Sequence, residues 1–122
     1  GRLSALCGCG VAAATGAAVA ISYLMGGGYK QIEGVINNMV ADVTGMICDG
    51  AKQGCALKLS TAAGIAVKSA VLAMNGSIVP KDNGILGETC EETIKNLGRV
   101  SAPGMLETDR VILETMMEKI IC

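Results

Sequence analysis

Apolar residues fall at Ile32, Val35, Ile36, Met39, Val40, Val43, Met46 and Ile47. Steps of three and four along this run put all of them on one stripe of an α-helix, and the spacing predicts a helix from about Gln31 to Ile47. Glu33 and Asp42 fall off the stripe and mark its polar side. The preceding stretch, Ala12 to Met25, is uncharged throughout and rich in Ala. It reads as a helix buried on all sides, stopped by Gly26-Gly27-Gly28.

The period breaks at Cys48-Asp49-Gly50-Ala51-Lys52-Gln53-Gly54-Cys55, where two Gly and a polar centre predict a loop. An Ala-rich helix follows from about Ala56 to Asn75, ended by Asn75-Gly76. Ser77 to Gly87 is a connector holding Pro80 and the turn-prone Asp82-Asn83-Gly84. Thr89-Cys90-Glu91-Glu92 fits a capping box, opening a short helix that Gly98 is expected to end. After Pro103-Gly104, a last helix is expected from about Thr108 to Ile120, with Val111 or Ile112, Met116 and Ile120 on its apolar face. With no strand pattern and no internal repeat, the reading is all-α: a compact Gly/Ala-rich bundle of about five helices, one domain over residues 1–122. The seven Met, at helical spacing, read as core filler rather than a copper site. Because the chain opens Gly1-Arg2-Leu3 without Met, it is expected to be a piece of a larger parent.

Charge then excludes one class of partner. Ten basic against eleven acidic residues give a net charge of −1, and two Tyr are the only aromatics. No basic stripe exists to neutralise phosphates and no platform to stack bases, which argues against nucleic acid. Leu3 to Tyr29 carries no charge and is long enough to span a bilayer. Its Ala and Gly drive insertion weakly, it holds Ser4, Thr15 and Ser22, and no second apolar run of comparable length is read after it; no membrane partner is expected. The absence of His removes Ser-His-Asp and Cys-His catalysis and Cys/His zinc sites from this chain.

Six Cys leave three readings. A disulfide framework is disfavoured by the lack of a secretory signal and by the closeness of Cys7 to Cys9. A metal or cluster site in a reducing cytoplasm is the second, and small buried hydrophobes the third. Cys9, Cys48 and Cys55 stand in loops or at helix ends beside Gly, where backbone N–H groups can approach a negative cluster. Cys55 also precedes a helix N-terminus, whose dipole favours a thiolate. The spacing between Cys48 and Cys55 matches neither a ferredoxin run nor a usual zinc loop.

The segment Gly45-Met46-Ile47-Cys48-Asp49-Gly50-Ala51-Lys52, continued by Gly54-Cys55-Ala56-Leu57-Lys58, resembles the signature of the L-cysteine desulfidase family. That family is related to the α chain of iron–sulfur L-serine dehydratases. Leu3-Ser4-Ala5-Leu6-Cys7-Gly8-Cys9-Gly10-Val11, Leu24-Met25-Gly26-Gly27, Glu91-Glu92-Thr93-Ile94, Asn96-Leu97-Gly98, Gly104-Met105 and Thr108-Asp109 are similar to it as well. The resemblance implies a helical C-terminal half carrying a [4Fe–4S] cluster with one open iron acting as a Lewis acid. It implies α,β-elimination of L-cysteine to pyruvate, ammonia and sulfide, or of L-serine to pyruvate and ammonia. Cys9 and Cys48 match cluster ligands. Cys55 matches the third ligand of the dehydratases, whereas in desulfidases a Cys of the N-terminal half supplies that bond, from a Glu-Cys-Thr-Glu-Pro-like motif this chain lacks. Cys7 is an alternative to Cys9 or its buried neighbour. Cys122 is a plug for the open iron or a tail residue without a role.

Lys52, between the two loop Cys, is either a cation for the substrate carboxylate, a base, or a solvated loop residue. Lys58 and Ser60, one turn into the next helix, are expected to face the site. Asn37 and Asn38 interrupt an apolar helix and need partners, either substrate or neighbouring helices. Asp49 is expected to anchor its loop by accepting backbone N–H groups. The partners implied are a small amino-acid substrate and the missing N-terminal half of the same protein, with exposed apolar surface favouring a homo-oligomer. The rivals are a non-catalytic helical module and an integral-membrane fragment.

Overall fold

The computed structural model describes residues 4–121, and they are all-α. A π-helical turn, Gly8–Ala13, runs directly into α1, Ala14–Leu24. Then come α2, Tyr29–Val43; α3, Gln53–Met74; α4, Cys90–Ser101; and α5, Leu106–Ile121. Cys122, and with it the plug reading, lies outside the described residues.

Two helix ends are written by single glycines. At the end of α1, Gly26 takes φ 89°, Gly27 N–H donates to Ser22 O and Gly26 N–H to Tyr23 O, both at 2.9 Å. At the end of α3, Gly76 takes φ 79°, Ser77 N–H donates to Leu72 O at 2.9 Å and Gly76 N–H to Ala73 O at 3.0 Å. Each is a Schellman closure, which needs a left-handed residue that only Gly adopts cheaply. At the start of α4, Thr89 Oγ1 accepts from Glu92 N–H at 3.2 Å as the capping box predicts. The Glu92 carboxylate, however, accepts from Glu88 N–H at 2.9 Å, one residue earlier than the box requires.

The first three helices pack on one another. Val11, Ala14 and Ala18 meet Val35, Met39 and Val43, and both rows meet Ala62, Ala66, Ala70 and Ala73 along α3. An interface of Ala side chains lets helix axes approach closely, and the apolar area each residue buries is small, so many such contacts share the load. A second cluster of Ile36, Val40, Leu86 and Cys90 seats α4 on α2. α5 stands outside this bundle, with Leu106, Leu113, Met117 and Ile120 exposed.

Three boundaries and one helix face differ from the sequence pattern, for identifiable reasons. α2 stops at Val43, because Met46 and Cys48 pair their backbones with the N-terminal segment instead of continuing the helix. α3 starts at Gln53, so Cys55 lies in its first turn and not in the loop. α4 runs through Gly98 to Ser101. On α5, Ile112 and Met116 turn inward as expected, while Val111 and Ile120 face outward. The charge-free N-terminal run folds as the shorter apolar stretch Gly8–Leu24, and it is α3 that is long and apolar enough to cross a membrane by length and composition. The expectation that no second such run follows is thereby corrected: α3 carries only Lys58 and Lys68 among its Ala, Val, Leu and Ile.

Candidate functional site

The Cys48 loop is tied down by a single antiparallel bridge, Leu6 to Ile47, the one extended pairing among the described residues. Cys7 N–H donates to Met46 O at 3.0 Å and Cys48 N–H to Ala5 O at 2.6 Å. These bonds flank the Leu6–Ile47 pair, so side-chain alternation turns Cys7 and Cys48 to the opposite face together, as diagonal neighbours across the two strands. Cys7 is buried, and its Sγ accepts from Gly10 N–H at 3.2 Å, which caps the π-helical turn. Cys9, inside that turn, is exposed. Cys48 and Cys55 are half-buried.

Lys58 reaches this face from α3. Its Nζ donates to Ile47 O at 2.8 Å and makes an ion pair with Asp49 Oδ1. The Asp49 carboxylate raises the Lys58 pKa above its ordinary value, through the hydrogen bond first and its charge second. In return Lys58 holds the Asp49 carboxyl below the usual range. Asp49 thus anchors the loop through a side chain and not mainly through backbone N–H groups. Gly50 follows with φ 109°, and a Cβ there would lie 3.2 Å from Met116 Cε, so α5 covers the loop at this point.

The other expected residues are spread around the helix end. Lys52 is the exposed N-cap residue of α3, whose first turn contains no acidic side chain. Ser60 is exposed; two positions beyond Lys58, it is rotated by roughly 200° about the helix axis. Lys58 and Ser60 therefore cannot both face the Cys48 loop, and the structure puts Lys58 there. Asn38 is a joint: its Nδ2 donates to Ser77 O at 3.0 Å and Ser69 O at 3.4 Å, and its Oδ1 accepts from Val79 N–H at 2.9 Å. Asn37 Oδ1 meets Thr93 Oγ1 at 3.4 Å, and Thr93 Oγ1 accepts from Gly87 N–H at 3.0 Å. Both Asn side chains join α2 to what packs on it.

One pairing has no signal in the sequence. Tyr29 Oη and Cys90 Sγ lie 3.6 Å apart, joining the first residues of α2 and α4. The hydrogen bond to Cys90, reinforced by the negative potential of Cys90 and Glu91, pushes the Tyr29 pKa up to about 12.

Comparison with known proteins settles the family. Residues 1–114 match the family described as serine dehydratase alpha chain. The chain belongs to that family. It is 64% identical over 118 residues to the UPF0597 protein of Alkaliphilus metalliredigens, covering 97% of this chain and 26% of that protein. To the UPF0597 protein of Clostridioides difficile it is 62% identical over 116 residues, covering 95% of this chain and 27% of that protein. For the UPF0597 protein of Alkaliphilus oremlandii the identity is 59% over 116 residues, again covering 95% and 27%. The chain thus spans about a quarter of the length of these curated relatives. No solved structure matches it.

An iron–sulfur cluster needs thiolates turned toward one point. Among the described residues no three His, Cys, Asp or Glu side chains converge to hold a metal. Cys7 and Cys48 share a face, Cys55 stands in the next helical turn, and Cys9 is exposed. The donor type suits a cluster, but the arrangement within this chain does not fit the complete group.

Proposed function

We infer that this chain is the thiol-bearing helical part of a cytoplasmic amino-acid lyase acting on L-cysteine. In that reaction the α-proton is removed, the Cβ–S bond breaks and sulfide leaves with the bonding pair. The resulting 2-aminoacrylate tautomerises to an imine and takes up water, giving pyruvate and ammonia. No net oxidation or reduction occurs.

One observation carries this reading within a chain of the serine dehydratase alpha family: Cys48 sits in a loop pinned by a backbone bridge and leading into the N-terminus of a 22-residue helix with no acidic residue in its first turn. That helix end presents unopposed N–H groups and a positive dipole to anions such as thiolates and carboxylates. The thiols expected to serve a [4Fe–4S] cluster are Cys9, Cys48 and Cys55, and drawing them to one point requires the rest of a longer polypeptide. Lys52, exposed at the helix N-cap, is suited to the substrate carboxylate. Ser60 is assigned a lesser part, since it is turned away from the loop that Lys58 contacts. The exposed, uncharged outer face of α1, with Gly16, Ala17 and Ala20, is where the remaining polypeptide or a second copy would pack.

The family description favours a second reading, elimination of water from L-serine. The two are separated by assaying the longest natural polypeptide that carries this sequence, handled without oxygen. Pyruvate and sulfide from L-cysteine support the first reading. Pyruvate from L-serine alone moves the activity to the second, and turnover of neither leaves a non-catalytic helical module.

A further inference from the structure

We propose that Lys58 is the positioning residue for Cys48, clasping the residue on either side of it. One ammonium donates to the carbonyl of Ile47 and pairs with the carboxylate of Asp49. Cys48 is therefore enclosed in a ring that begins and ends on a single side chain of α3. On its other side the Cys48 N–H is fixed to Ala5 O at 2.6 Å. With both neighbours and its own N–H held, the orientation of the thiol is set by the scaffold before any ligand arrives.

The surroundings suit a clasp better than a proton shuttle. The Lys58 side chain is 25% exposed, so its two bonds are partly shielded from water, and Asp49 stabilises the ammonium form. A lysine committed to a carbonyl and a carboxylate is poorly placed to take up or deliver a proton. Its reach is also specific: α3 is anchored in the core by Ala62 and Ala66, one and two turns further on, so Nζ extends from a fixed helix to the loop that carries Cys48. Asp49 is mostly exposed and Gly50 offers no side chain. Without the clasp, the loop would depend on the bridge, on the packing of Met46 and Cys48 against the core and on Met116.

This deepens the lyase reading, but its test needs neither cofactor nor activity. Amide hydrogen exchange is measured on the chain and on Lys58→Met, Lys58→Arg and Asp49→Asn. Lys58→Met is expected to speed exchange at Cys48 N–H roughly tenfold, the scale of losing a charge-assisted pair that is partly screened by water. Exchange at Met39 and Ala66 stays unchanged. Lys58→Arg, which keeps the charge and the donors, restores most of the protection, and Asp49→Asn falls between. Unchanged protection at Cys48 in Lys58→Met, or equal acceleration at Cys48 and in the core, overturns the proposal. So does failure of Lys58→Arg to restore protection. If Lys58→Met loses its helicity, Asp49→Asn decides: acceleration confined to the Cys48 loop supports the clasp, and none overturns it.

Discussion

Leu6 and Ile47 face each other in an isolated antiparallel bridge, and that pairing is what brings Cys7, ahead of α1, and Cys48, between α2 and α3, to one face. Its tolerance is narrow at Gly10. A Cβ there would meet Met46 Sδ and lie 3.2 Å from Cys7 Sγ. Gly10→Ala is expected to destabilise the chain by about 1–2 kcal/mol, the scale of modest overpacking. Adding Met46→Ala vacates the contact, so urea denaturation of the double variant should show less loss than the two single effects summed. Strict additivity would mean that Gly10 and Met46 are not coupled.

Asn38 holds the Ser77–Val79 connector against α2 and α3 with three hydrogen bonds. Asn38→Leu removes them and leaves the part-buried Ser77 carbonyl and Val79 N–H without this partner. A loss of roughly 2–3 kcal/mol follows from leaving such groups unpaired. Thermal or urea unfolding measures it, and a neutral outcome would show that water replaces the side chain.

The Ala rows between α1 and α3 predict strict limits on size. Ala66 is 1% exposed and Ala70 fully buried. Leu at either position should cost about 1–3 kcal/mol or more, because two helices packed on methyl groups must separate to admit it. The same change at exposed Ala63 is expected to be close to neutral. Denaturant midpoints of the three variants check the contrast.

The Tyr29–Cys90 pair has a pH signature. A tyrosine whose folded pKa is raised contributes stability that is fully present below its ordinary value of 10.0 and is lost as pH rises through about 12. Ultraviolet titration of tyrosinate should therefore show one late-ionising phenol. Cys90→Ala is expected to bring it down, and Tyr29→Phe to remove it. A late phenol that survives Cys90→Ala would place the cause elsewhere.

Much of this fold was legible in the spacing of apolar residues. The stripe Val35, Ile36, Met39, Val40 and Val43 of α2 is the buried stripe, and the Gly-rich ends of α1 and α3 close as their glycines dictate. Local pattern failed where long-range backbone pairing intervened. Met46 and Ile47 continue the apolar period of α2, yet the bridge to residues 5–7 takes their backbone out of the helix. The site was legible as a set of residue types around Cys48. Which of them meet was not, because Lys58 and Ser60 look equivalent until the rotation of α3 is fixed by its buried Ala face. Nothing local relates Tyr29 to Cys90, 61 positions away, and only the packing of α4 on α2 joins them.

The central claim is that Cys48 serves an iron–sulfur site in a complete lyase. The most direct measurement is anaerobic reconstitution with iron and sulfide of the longest natural polypeptide carrying this sequence, alongside its Cys48→Ser variant, following iron content and the visible spectrum. The account predicts a brown protein with about four irons per chain, as a single cubane cluster requires, and a large loss of iron and colour in Cys48→Ser. A polypeptide that stays colourless, or one whose Cys48→Ser variant retains full iron, would contradict it.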